Sequence, residues 1–380
     1  MINKIVYIDI SQFLAYRKLT GIQRVIIESV SRLIKDTIDG LEIKVIYYQN
    51  DSYYYMKNKE VLKFFRDIDN YKFKKYYKFN IYKVNNVEKI LLELDAVWNS
   101  NLKRETLYPK LKKQGFKIYN FIYDLIPILF PEYMRDNTKN NFRFFLDVVS
   151  KYSDLIFFDS NSSKNDFTQL IEIKSRKKVE KKVLYLGSDF KCKDIDSKKY
   201  QKLLSKRFIL FVGTIEPRKE HSIVLESFEE LYKEYEDLNL VFIGSIGWKM
   251  NKFIQKLTAN PLKNISIFHF QDLNNNELSL FYKNAYIVAY LSKYEGYGLP
   301  IAESLSYGNI TIVSKNSSMP EVGKKCADYL DVNKSSKLTK IIKYYLENKK
   351  HYKSRVEYIT NNYRKIYWND FYKLLKKSLL

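Results

Sequence analysis

Two glutamates eight positions apart, Glu295 and Glu303, carry the clearest chemical signal in the chain. They flank a glycine-rich turn in the stretch YEGYGLPIAESLSYG, which is typical of a strand followed by a turn and a helix. At the end of the strand, the Glu295 carboxylate can accept hydrogen bonds from sugar hydroxyls, and Glu303 in the first helical turn can accept both hydroxyls of a ribose. The pattern predicts a site for a sugar-containing ligand. The weaker alternative is a plain turn whose glutamates only favour the helix dipole.

The turn between the two glutamates supplies backbone groups to the same site. Gly296 and Gly298 have no Cβ, so a ligand can approach the main chain closely there. Pro300 suits the start of a helix, where its missing amide hydrogen costs nothing. We therefore expect the amides of Gly296, Tyr297, Gly298 and Leu299 to face an anion or a sugar at the helix N-terminus.

Two adjacent cations follow an apolar strand in the stretch LFVGTIEPRKE. The strand ends at Gly213, and the loop that follows Thr214 carries Arg218 and Lys219. An arginine can bind a diphosphate through two parallel hydrogen bonds, and a lysine can bind it as a point charge. We expect this loop to neutralise a diphosphate. The alternative is a solvated basic loop, because the whole chain is basic.

Two further candidates lie in the first half of the chain. Gly21, in LTGIQRV, begins a predicted helix that Thr20 can cap, and it would let the helix amides face a ligand. Arg24, one turn further on, is a candidate anion contact. Asp124, in FIYDLIPILFPEY, follows a strand and is a candidate base or acceptor-orienting group. An ordinary helix start and a turn-capping aspartate are equally weighted alternatives.

Short apolar runs alternate with helical patterns along the chain, which indicates βαβ units and parallel sheets. In the first half, strands are predicted at 4–9, 42–48, 96–99, 116–123, 155–159 and 182–186, with helices at 20–35, 105–113, 138–151 and 162–171. In the second half, strands are predicted at 208–212, 238–243, 265–268, 285–291 and 310–314, with a helix at 221–235. The polar stretch 187–206 is interpreted as the connection between the two series. The sequence thus predicts an α/β fold of two facing Rossmann-like domains, with ligands bound in the cleft at the carboxyl ends of the strands.

Composition excludes several classes of protein. The chain has 380 residues and a net charge of +23, from 66 Lys and Arg against 43 Asp and Glu. Its 46% hydrophobic content excludes general disorder, and its two cysteines, Cys192 and Cys326, exclude a disulfide framework. No apolar run approaches the roughly 20 residues of a membrane span, and no targeting segment is recognised at the N-terminus. Heavy lysine use and partners that carry phosphate are about equally weighted explanations of the basic excess.

The segment 47–83 is unusually dense in Tyr, Phe and Lys. This mixture suits a membrane interface or stacking on nucleic acid. The favoured interpretation is an insertion that packs its aromatic side chains on the domain and leaves its lysines in solvent.

Together these motifs resemble family 4 glycosyltransferases of the GT-B fold. The stretches EGYGLPIAESLSYG and VGTIEPRKEH carry the resemblance most specifically. The stretches TGIQRV, YDLIPILFPEY, FFDSNSSKNDF, SSMPEVG and IYWNDF extend it over about residues 5–370. The resemblance places an acceptor-side domain at 1–187 and a nucleotide-sugar-binding domain at 206–360, with a C-terminal helix at about 361–380 that packs back on the first domain.

The resemblance implies the retaining transfer of a sugar from a nucleotide diphosphate sugar. In such enzymes the lysine that matches Lys219 contacts the donor diphosphate, and the glutamates that match Glu303 and Glu295 bind the ribose and the donor sugar. Amides of the turn 296–299 reach the sugar and the phosphates, and Gly21 is expected near the phosphates. Two departures stand out. Thr214 occupies the position of a common family arginine, for which Arg218 is the candidate replacement, and Tyr123 precedes Asp124 where many members have histidine.

No metal site is expected. Retaining members of the family need no protein nucleophile, because the leaving phosphate accepts the proton of the acceptor on the same face. The three histidines, His221, His269 and His351, lack the spacing of metal ligands. Two Asp-x-Asp triplets, at 67–69 and 194–196, lie in polar, lysine-rich surroundings and are rejected as a site for a metal and a nucleotide.

The candidate catalytic residues are Glu295, Lys219, Arg218 and Asp124. The candidate donor-binding residues are Gly21, Gly213, Thr214, Gly296, Tyr297, Gly298, Leu299 and Glu303.

The predicted function is that of a metal-independent glycosyltransferase that moves a hexose, mannose-like or rhamnose-like, to a glycan or lipid-linked glycan in surface polysaccharide synthesis. GDP-mannose is the candidate donor, no cofactor is expected, and an anionic membrane surface is a candidate partner. We expect a cytoplasmic protein, peripheral at the inner face of the plasma membrane. The alternatives are a catalytically inactive GT-B subunit and a nucleic-acid-binding protein. Nucleic acid is the less favoured partner, because Glu295 and Glu303 would repel phosphates.

Overall fold

The computed structural model describes residues 2–72, 77–83, 87–100, 102–134, 136–171, 178–190, 196–331 and 334–380. The chain divides into two compact units. The first comprises Met1–Gly187 together with Trp368–Leu380, and the second comprises Ser188–Tyr367.

The first unit is built on an eight-stranded sheet. Its strands in chain order are β1 (Lys4–Asp9), β2 (Leu41–Gln49), β3 (Ser52–Met56), β4 (Tyr77–Phe79), β5 (Glu88–Glu93), β6 (Phe116–Ile122), β7 (Leu155–Phe158) and β8 (Glu180–Val183). They are arranged in the order β4-β3-β2-β1-β5-β6-β7-β8. The sheet is parallel except at one edge, where β3 pairs antiparallel with both β2 and β4. Continuous apolar runs such as IVYI in β1 and LIFF in β7 form its buried centre, as expected of strands that are covered on both faces.

Helices follow most of these strands. They are α1 (Ser11–Tyr16), α2 (Gly21–Leu33), α3 (Asn58–Arg66), α4 (Arg104–Lys113), α5 (Ile126–Leu129), α6 (Asp136–Tyr152) and α7 (Asn161–Leu170). The first unit also contains the C-terminal helix α16 (Trp368–Leu379), which packs against α2. Its apolar face buries Phe371 and Leu375 completely, and Lys376 pairs with Asp36, with Nζ and Oδ2 2.7 Å apart. At the other end, the Lys4 ammonium donates to the terminal carbonyl oxygens of α16.

The second unit is built on a six-stranded sheet that is parallel throughout. Its strands are β9 (Arg207–Val212), β10 (Leu238–Ile243), β11 (Ile267–Phe270), β12 (Ile287–Tyr290), β13 (Ile310–Ser314) and β14 (Asp328–Leu330). The helices are α8 (Gln201–Leu204), α9 (His221–Tyr232), α10 (Asn251–Thr258), α11 (Asn275–Asn284), α12 (Leu299–Ser306), α13 (Met319–Gly323), α14 (Ser335–Glu347) and α15 (Lys349–Asn362). The strand order is β11-β10-β9-β12-β13-β14. Numbered within the unit, this is 3-2-1-4-5-6, the order of the Rossmann fold.

Most predicted elements are present, but one predicted strand is wrong. Residues 97–99 form a single 3-10 turn, and the strand lies upstream at β5. The strand predicted at 182–186 begins two residues earlier, and the one predicted at 265–268 lies two residues later. The antiparallel strands β3 and β4 and the short β14 have no counterpart in the sequence prediction.

The aromatic segment at 47–83 packs many of its rings inside the first unit, as the favoured interpretation expects. Tyr47, Tyr53, Phe64 and Ile81 are buried. Residues 73–76 of the segment lie outside the described residues. Within the described parts of the chain, no helix is both long enough and apolar enough to cross a membrane.

Candidate functional site

The predicted site residues of the second unit lie where its strand order reverses. Strands β9 and β12 are neighbours in the sheet, but the helices that follow them lead away in opposite directions. In a parallel sheet this arrangement leaves a crevice at the carboxyl ends of the two central strands, where α/β proteins bind ligands. The loop 213–220 follows β9, and the loop 291–298 follows β12.

Backbone hydrogen bonds join these two loops. The amide of Glu220 donates to the Leu291 carbonyl at 3.1 Å, and the amide of Lys293 donates to the Arg218 carbonyl at 2.9 Å. A bridge pairs Lys219 with Ser292 between them. Backbone contacts alone thus hold the two loops together on both sides of the crevice.

Gly213 ends β9 with φ of +153°, a conformation that disfavours side chains. A Cβ placed there would lie 2.8 Å from the Lys219 Nζ atom. Gly244 has a similar φ of +150°, and a Cβ there would lie 2.2 Å from the Gly213 carbonyl oxygen. Two glycines therefore let the peptide before Thr214 fit between the Lys219 side chain and the end of β10.

Lys219 is buried, and its ammonium donates to the Tyr290 hydroxyl at 2.9 Å. Its Nζ atom lies 3.7 Å from the Oε1 atom of Glu295. Burial lowers the pKa of Lys219 below its usual value, and the neighbouring carboxylate of Glu295 partly offsets that effect. An additional negative charge in the crevice would therefore stabilise the charged form of this ammonium.

Glu295 is also buried, and it lies between the two cations of the predicted diphosphate loop. Its Oε1 atom is 2.5 Å from Nη1 of Arg218. Burial raises the pKa of Glu295, but the charges of Arg218 and Lys219 outweigh burial and hold the pKa below its ordinary value. The carboxylate is therefore charged at neutral pH.

Arg218 has several protein partners besides Glu295. Its Nη2 atom lies 2.7 Å from the Glu216 Oε1 atom, and its Nη1 donates to the Tyr294 carbonyl at 2.6 Å and to the Ser292 hydroxyl at 3.3 Å. The guanidinium is thus a cross-link between the two loops.

The turn that follows Glu295 is held by serines from the start of α13. The Ser318 hydroxyl makes hydrogen bonds to the carbonyls of Glu295 (3.0 Å) and Tyr297 (2.9 Å), and the Glu295 amide donates to the Ser317 hydroxyl at 3.0 Å. Gly298 has φ of +91°, the left-handed conformation that glycine adopts without strain. It precedes α12, which begins at Leu299 with no side-chain cap. The predicted helix start after a flexible glycine is thus present, and the cradle for an anion or a sugar stays a prediction.

The sequence predicts Glu303 in the first turn of α12; it is the fifth residue of the helix, just after that turn, and is buried. The Tyr282 hydroxyl, on α11, donates to its Oε2 atom at 2.9 Å. One carboxylate oxygen is thus fixed by the protein, which orients the side chain.

The remaining two predicted site residues, Gly21 and Asp124, belong to the first unit. Gly21 is exposed at the first position of α2. Thr20 precedes it but makes no side-chain hydrogen bond to the helix backbone; its hydroxyl contacts the side chain of Gln23 instead. Arg24 lies over the ring of Trp368, 5.5 Å from its centre.

Asp124 follows β6 and is half-buried. Its Oδ1 atom accepts from the Ile126 amide at 2.9 Å, which is the contact expected of a turn-capping aspartate. Tyr123, at the position of the family histidine, is buried, and its hydroxyl donates to the Leu94 carbonyl at 2.7 Å.

The structure thus gathers ten of the twelve predicted residues in the second unit and places two in the first. Sequence reasoning missed the residues that support them. These are Glu216, Gly244, Tyr282, Tyr290, Ser317 and Ser318. Only Gly244 left a readable signal, because it follows an apolar strand just as Gly213 does.

Among the described residues, no three His, Cys, Asp or Glu side chains lie close enough to hold a metal ion together. Asp67, from one of the two rejected triplets, accepts hydrogen bonds from Asn70 in a local turn. Asp194 and Cys192 lie outside the described residues.

Comparison with known proteins shows what the second unit is similar to. Residues 192–365 match the family described as glycosyl transferases group 1. The matched stretch contains every predicted site residue of the second unit.

Curated relatives extend the match beyond this domain. The chain is 25% identical over 392 aligned positions to the serotype-specific mannosyltransferase WbdA of Escherichia coli, covering 98% of this chain and 44% of WbdA. The chain thus spans about half the length of the curated relatives it matches.

Solved structures show the fold. HepE of Anabaena, crystallised with UDP-glucose, superposes with a TM-score of 0.70 at 14% identity, covering 99% of both chains. The sucrose-phosphate synthase of Thermosynechococcus elongatus gives a TM-score of 0.66 at 10% identity, covering 99% of this chain and 98% of the synthase. The solved structures confirm the predicted GT-B fold. The family match and the similarity to WbdA confirm the resemblance to glycosyltransferases.

Proposed function

We propose that this chain is a retaining glycosyltransferase that moves a hexose from a nucleotide diphosphate sugar to a glycan or lipid-linked glycan in surface polysaccharide synthesis. The observation that carries the proposal is the buried contact between Lys219 and Glu295, beside the turn that precedes α12. A buried ammonium, a buried charged carboxylate and the start of α12 lie around one crevice at the end of β9. The family match of residues 192–365 supports the same reaction class.

The proposed chemistry begins at the diphosphate of the donor. When the glycosidic bond breaks, negative charge grows on the departing phosphate, and a fixed cation there stabilises the transition state. Lys219 supplies that cation, and the amides at the start of α12 supply a positive helix end. Glu295 accepts hydroxyl hydrogen bonds from the donor sugar, and Glu303 accepts from the ribose.

No protein nucleophile is needed in this proposal. The acceptor hydroxyl attacks the anomeric carbon on the face that the diphosphate leaves, and its proton passes to the leaving phosphate oxygen. Countercharge comes from Lys219 and the helix end rather than from a metal ion. Turnover is expected to be unchanged by EDTA and by added Mg²⁺.

The proposed sugar is mannose and the proposed donor is GDP-mannose, because the curated relatives are mannosyltransferases. A UDP-sugar is the competing donor, since HepE was crystallised with UDP-glucose. We place the reaction in the cytoplasm, at the inner face of the membrane, where a lipid-linked acceptor would be presented; the net charge of +23 favours an anionic surface.

The decisive experiment is a donor panel. GDP-mannose, UDP-glucose, UDP-galactose, UDP-N-acetylglucosamine and dTDP-rhamnose are each tested for thermal stabilisation of the chain and for release of the nucleoside diphosphate. We expect one donor to stabilise the protein and to be turned over, and retention is then read from the anomeric configuration of the product by NMR. Absence of both binding and turnover with every donor would refute the proposal.

A further inference from the structure

A groove of about 670 Å³ lies in the first unit, and neither Gly21 nor Asp124 lines it. One wall comes from the turn between β2 and β3 and from β4 with the residues that follow it. The other wall comes from the first half of α4 and the residues before it. We call this feature the hairpin groove. Its volume falls within the range of about 300–1,000 Å³ that small-ligand sites span.

Aromatic rings form the floor and one side of the hairpin groove. Tyr53 is buried, and its ring centre lies 5.2 Å from that of Tyr48 and 6.2 Å from that of Phe79. Tyr48, Phe79 and Tyr82 are each half-buried, so part of each side chain stays accessible. The rings are held by one another and by the core, so their surfaces are in place before a ligand arrives.

Polar side chains surround these rings. Asp51 and Asn80 are exposed on the hairpin side, and Thr106 and Lys110 are exposed on α4. The Tyr48 hydroxyl donates to Asp51 at 3.2 Å. The rim therefore offers a carboxylate, an amide, hydroxyls and an ammonium, which together can both donate and accept hydrogen bonds.

The hairpin groove lies at the ligand-binding edge of the first sheet. Strands β1, β2 and β5 are parallel, so their carboxyl ends share one edge. Tyr48 is next to the last residue of β2, and Thr106 lies near the start of α4, which follows β5. Gly21 and Asp124 also follow strands at this edge. A ligand in the groove would therefore lie on the edge at which parallel sheets bind their substrates.

We propose that the hairpin groove binds a segment of a carbohydrate chain, which is the acceptor glycan if the proposed function is correct. Pyranose rings present C–H faces that pack on aromatic rings and hydroxyls that need both donors and acceptors, and the groove offers both. Its two lysines, Lys78 and Lys110, are partly balanced by Asp51, so it lacks the strong positive charge that would select a membrane surface or a polyanion. Its aromatic side chains are buried or half-buried and do not protrude in the way that insertion into lipid requires.

The test measures glycan binding separately from catalysis. The full chain is titrated with linear α-linked mannotetraose by calorimetry, and saturation-transfer NMR identifies the bound sugar units. Three variants are compared with the unaltered chain: Thr106→Trp, which fills the groove from α4; Tyr82→Ala, which removes an aromatic surface; and Lys113→Trp, a matched control on an exposed position of α4 outside the groove. We expect Thr106→Trp and Tyr82→Ala to weaken binding by about tenfold or more and Lys113→Trp to leave it unchanged.

Two further measurements separate the possible failures. Donor turnover is assayed with the panel described above, so turnover without saturable mannotetraose binding would overturn the groove proposal and leave the proposed function standing. Mannotetraose binding that is equal in all variants would also overturn it. Vesicles of equal parts phosphatidylcholine and phosphatidylglycerol are the last probe. If the chain bound these vesicles but not mannotetraose, and if vesicle binding depended on Thr106 and Tyr82, the groove would be assigned to lipid instead.

Discussion

Half-buried Arg218 and buried Glu295 form an ion pair, with Nη1 and Oε1 2.5 Å apart, that joins the two loops of the candidate site. The same guanidinium contacts Glu216 and the Tyr294 carbonyl. Lys219 stands beside this pair, with its Nζ 3.7 Å from the same Glu295 oxygen. We therefore expect different roles for the two cations that the sequence placed together: Arg218 positions Glu295, and Lys219 contacts the diphosphate.

Replacing Lys219 by alanine tests the second of these roles. Loss of the fixed cation that is proposed to contact the departing phosphate should lower kcat by about a hundredfold or more, as removal of a single stabilising group does in other active sites. Release of the nucleoside diphosphate under donor saturation is the measurement. The control is Lys340→Ala, an exposed lysine on α14 of the same unit, which should leave kcat unchanged. Full activity of Lys219→Ala would exclude the assigned role.

Arg218→Ala tests the positioning role. It leaves the carboxylates of Glu216 and Glu295 buried without their shared cation, and breaking a buried pair in this way costs about 3–5 kcal/mol of unfolding free energy. Urea unfolding measures the loss. Restoring neutrality in the double variant Arg218→Ala/Glu295→Gln should recover part of that stability.

The two roles also predict different effects on ligand binding. Arg218→Lys keeps a cation in the loop but cannot bridge Glu216 and Glu295 as a planar guanidinium does. We expect this variant to bind the free nucleoside diphosphate nearly as well as the unaltered chain and to lose kcat. If Arg218→Lys instead weakened nucleotide binding as strongly as Lys219→Ala, the guanidinium would be a diphosphate ligand.

The parts of this site that could be predicted from sequence are those fixed by local spacing. The strand that ends next to Gly213 and the turn that ends at Gly298 can each be recognised from a short run of neighbouring residues. The partners Tyr290 and Tyr282 could not be predicted in the same way, because their hydroxyls reach Lys219 and Glu303 only once the neighbouring strands and helices are known.

The one misplaced strand has a similar physical cause. The sequence of β5 is EKILLE, a short apolar run with charged residues at both ends. In the structure Glu93 is buried and accepts from Arg104, with Oε1 and Nη2 2.7 Å apart, and Asp9 accepts from the same guanidinium at 2.8 Å. A charged residue with a buried partner 11 or 95 positions away cannot be distinguished from a solvated one by composition alone.

Glu303 is predicted to recognise ribose hydroxyls, and its contact with Tyr282 offers a graded test. The unaltered chain should bind GDP about tenfold more tightly than 2′,3′-dideoxy-GDP, because a hydrogen bond to a charged group is worth roughly 1.5–3 kcal/mol. In Glu303→Ala this difference should vanish, and in Tyr282→Phe it should shrink, since the carboxylate loses the hydroxyl that orients it.

Calorimetry measures both affinities. If the donor panel shows that the donor is a UDP-sugar, UDP and 2′,3′-dideoxy-UDP replace the two guanosine ligands. The control is Glu357→Ala, an exposed glutamate on α15. Discrimination that persists in Glu303→Ala would remove this residue from the ribose contact.

His221 should make the folded chain sensitive to acid. Its ring is buried among Phe211, Phe242 and Phe253, and burial lowers its pKa to about 3. The unfolded chain takes up a proton near the ordinary histidine pKa of about 6.5, whereas the folded chain does not, so stability is lost as the pH falls below that value. Between pH 8 and pH 5 the loss from this one group is about 2 kcal/mol.

Urea unfolding at pH 8 and pH 5 measures the effect against a matched pair of variants. His221→Phe removes the titrating ring but keeps an aromatic side chain among its three phenylalanine neighbours, whereas His351→Phe removes an exposed histidine on α15. The difference in unfolding free energy between the two pH values should shrink by about 2 kcal/mol in His221→Phe and stay unchanged in His351→Phe. Other titrating groups are common to all three chains, so their contributions cancel in the comparison. An unaltered pH difference in His221→Phe would mean that the imidazole is protonated equally in the folded and unfolded chains.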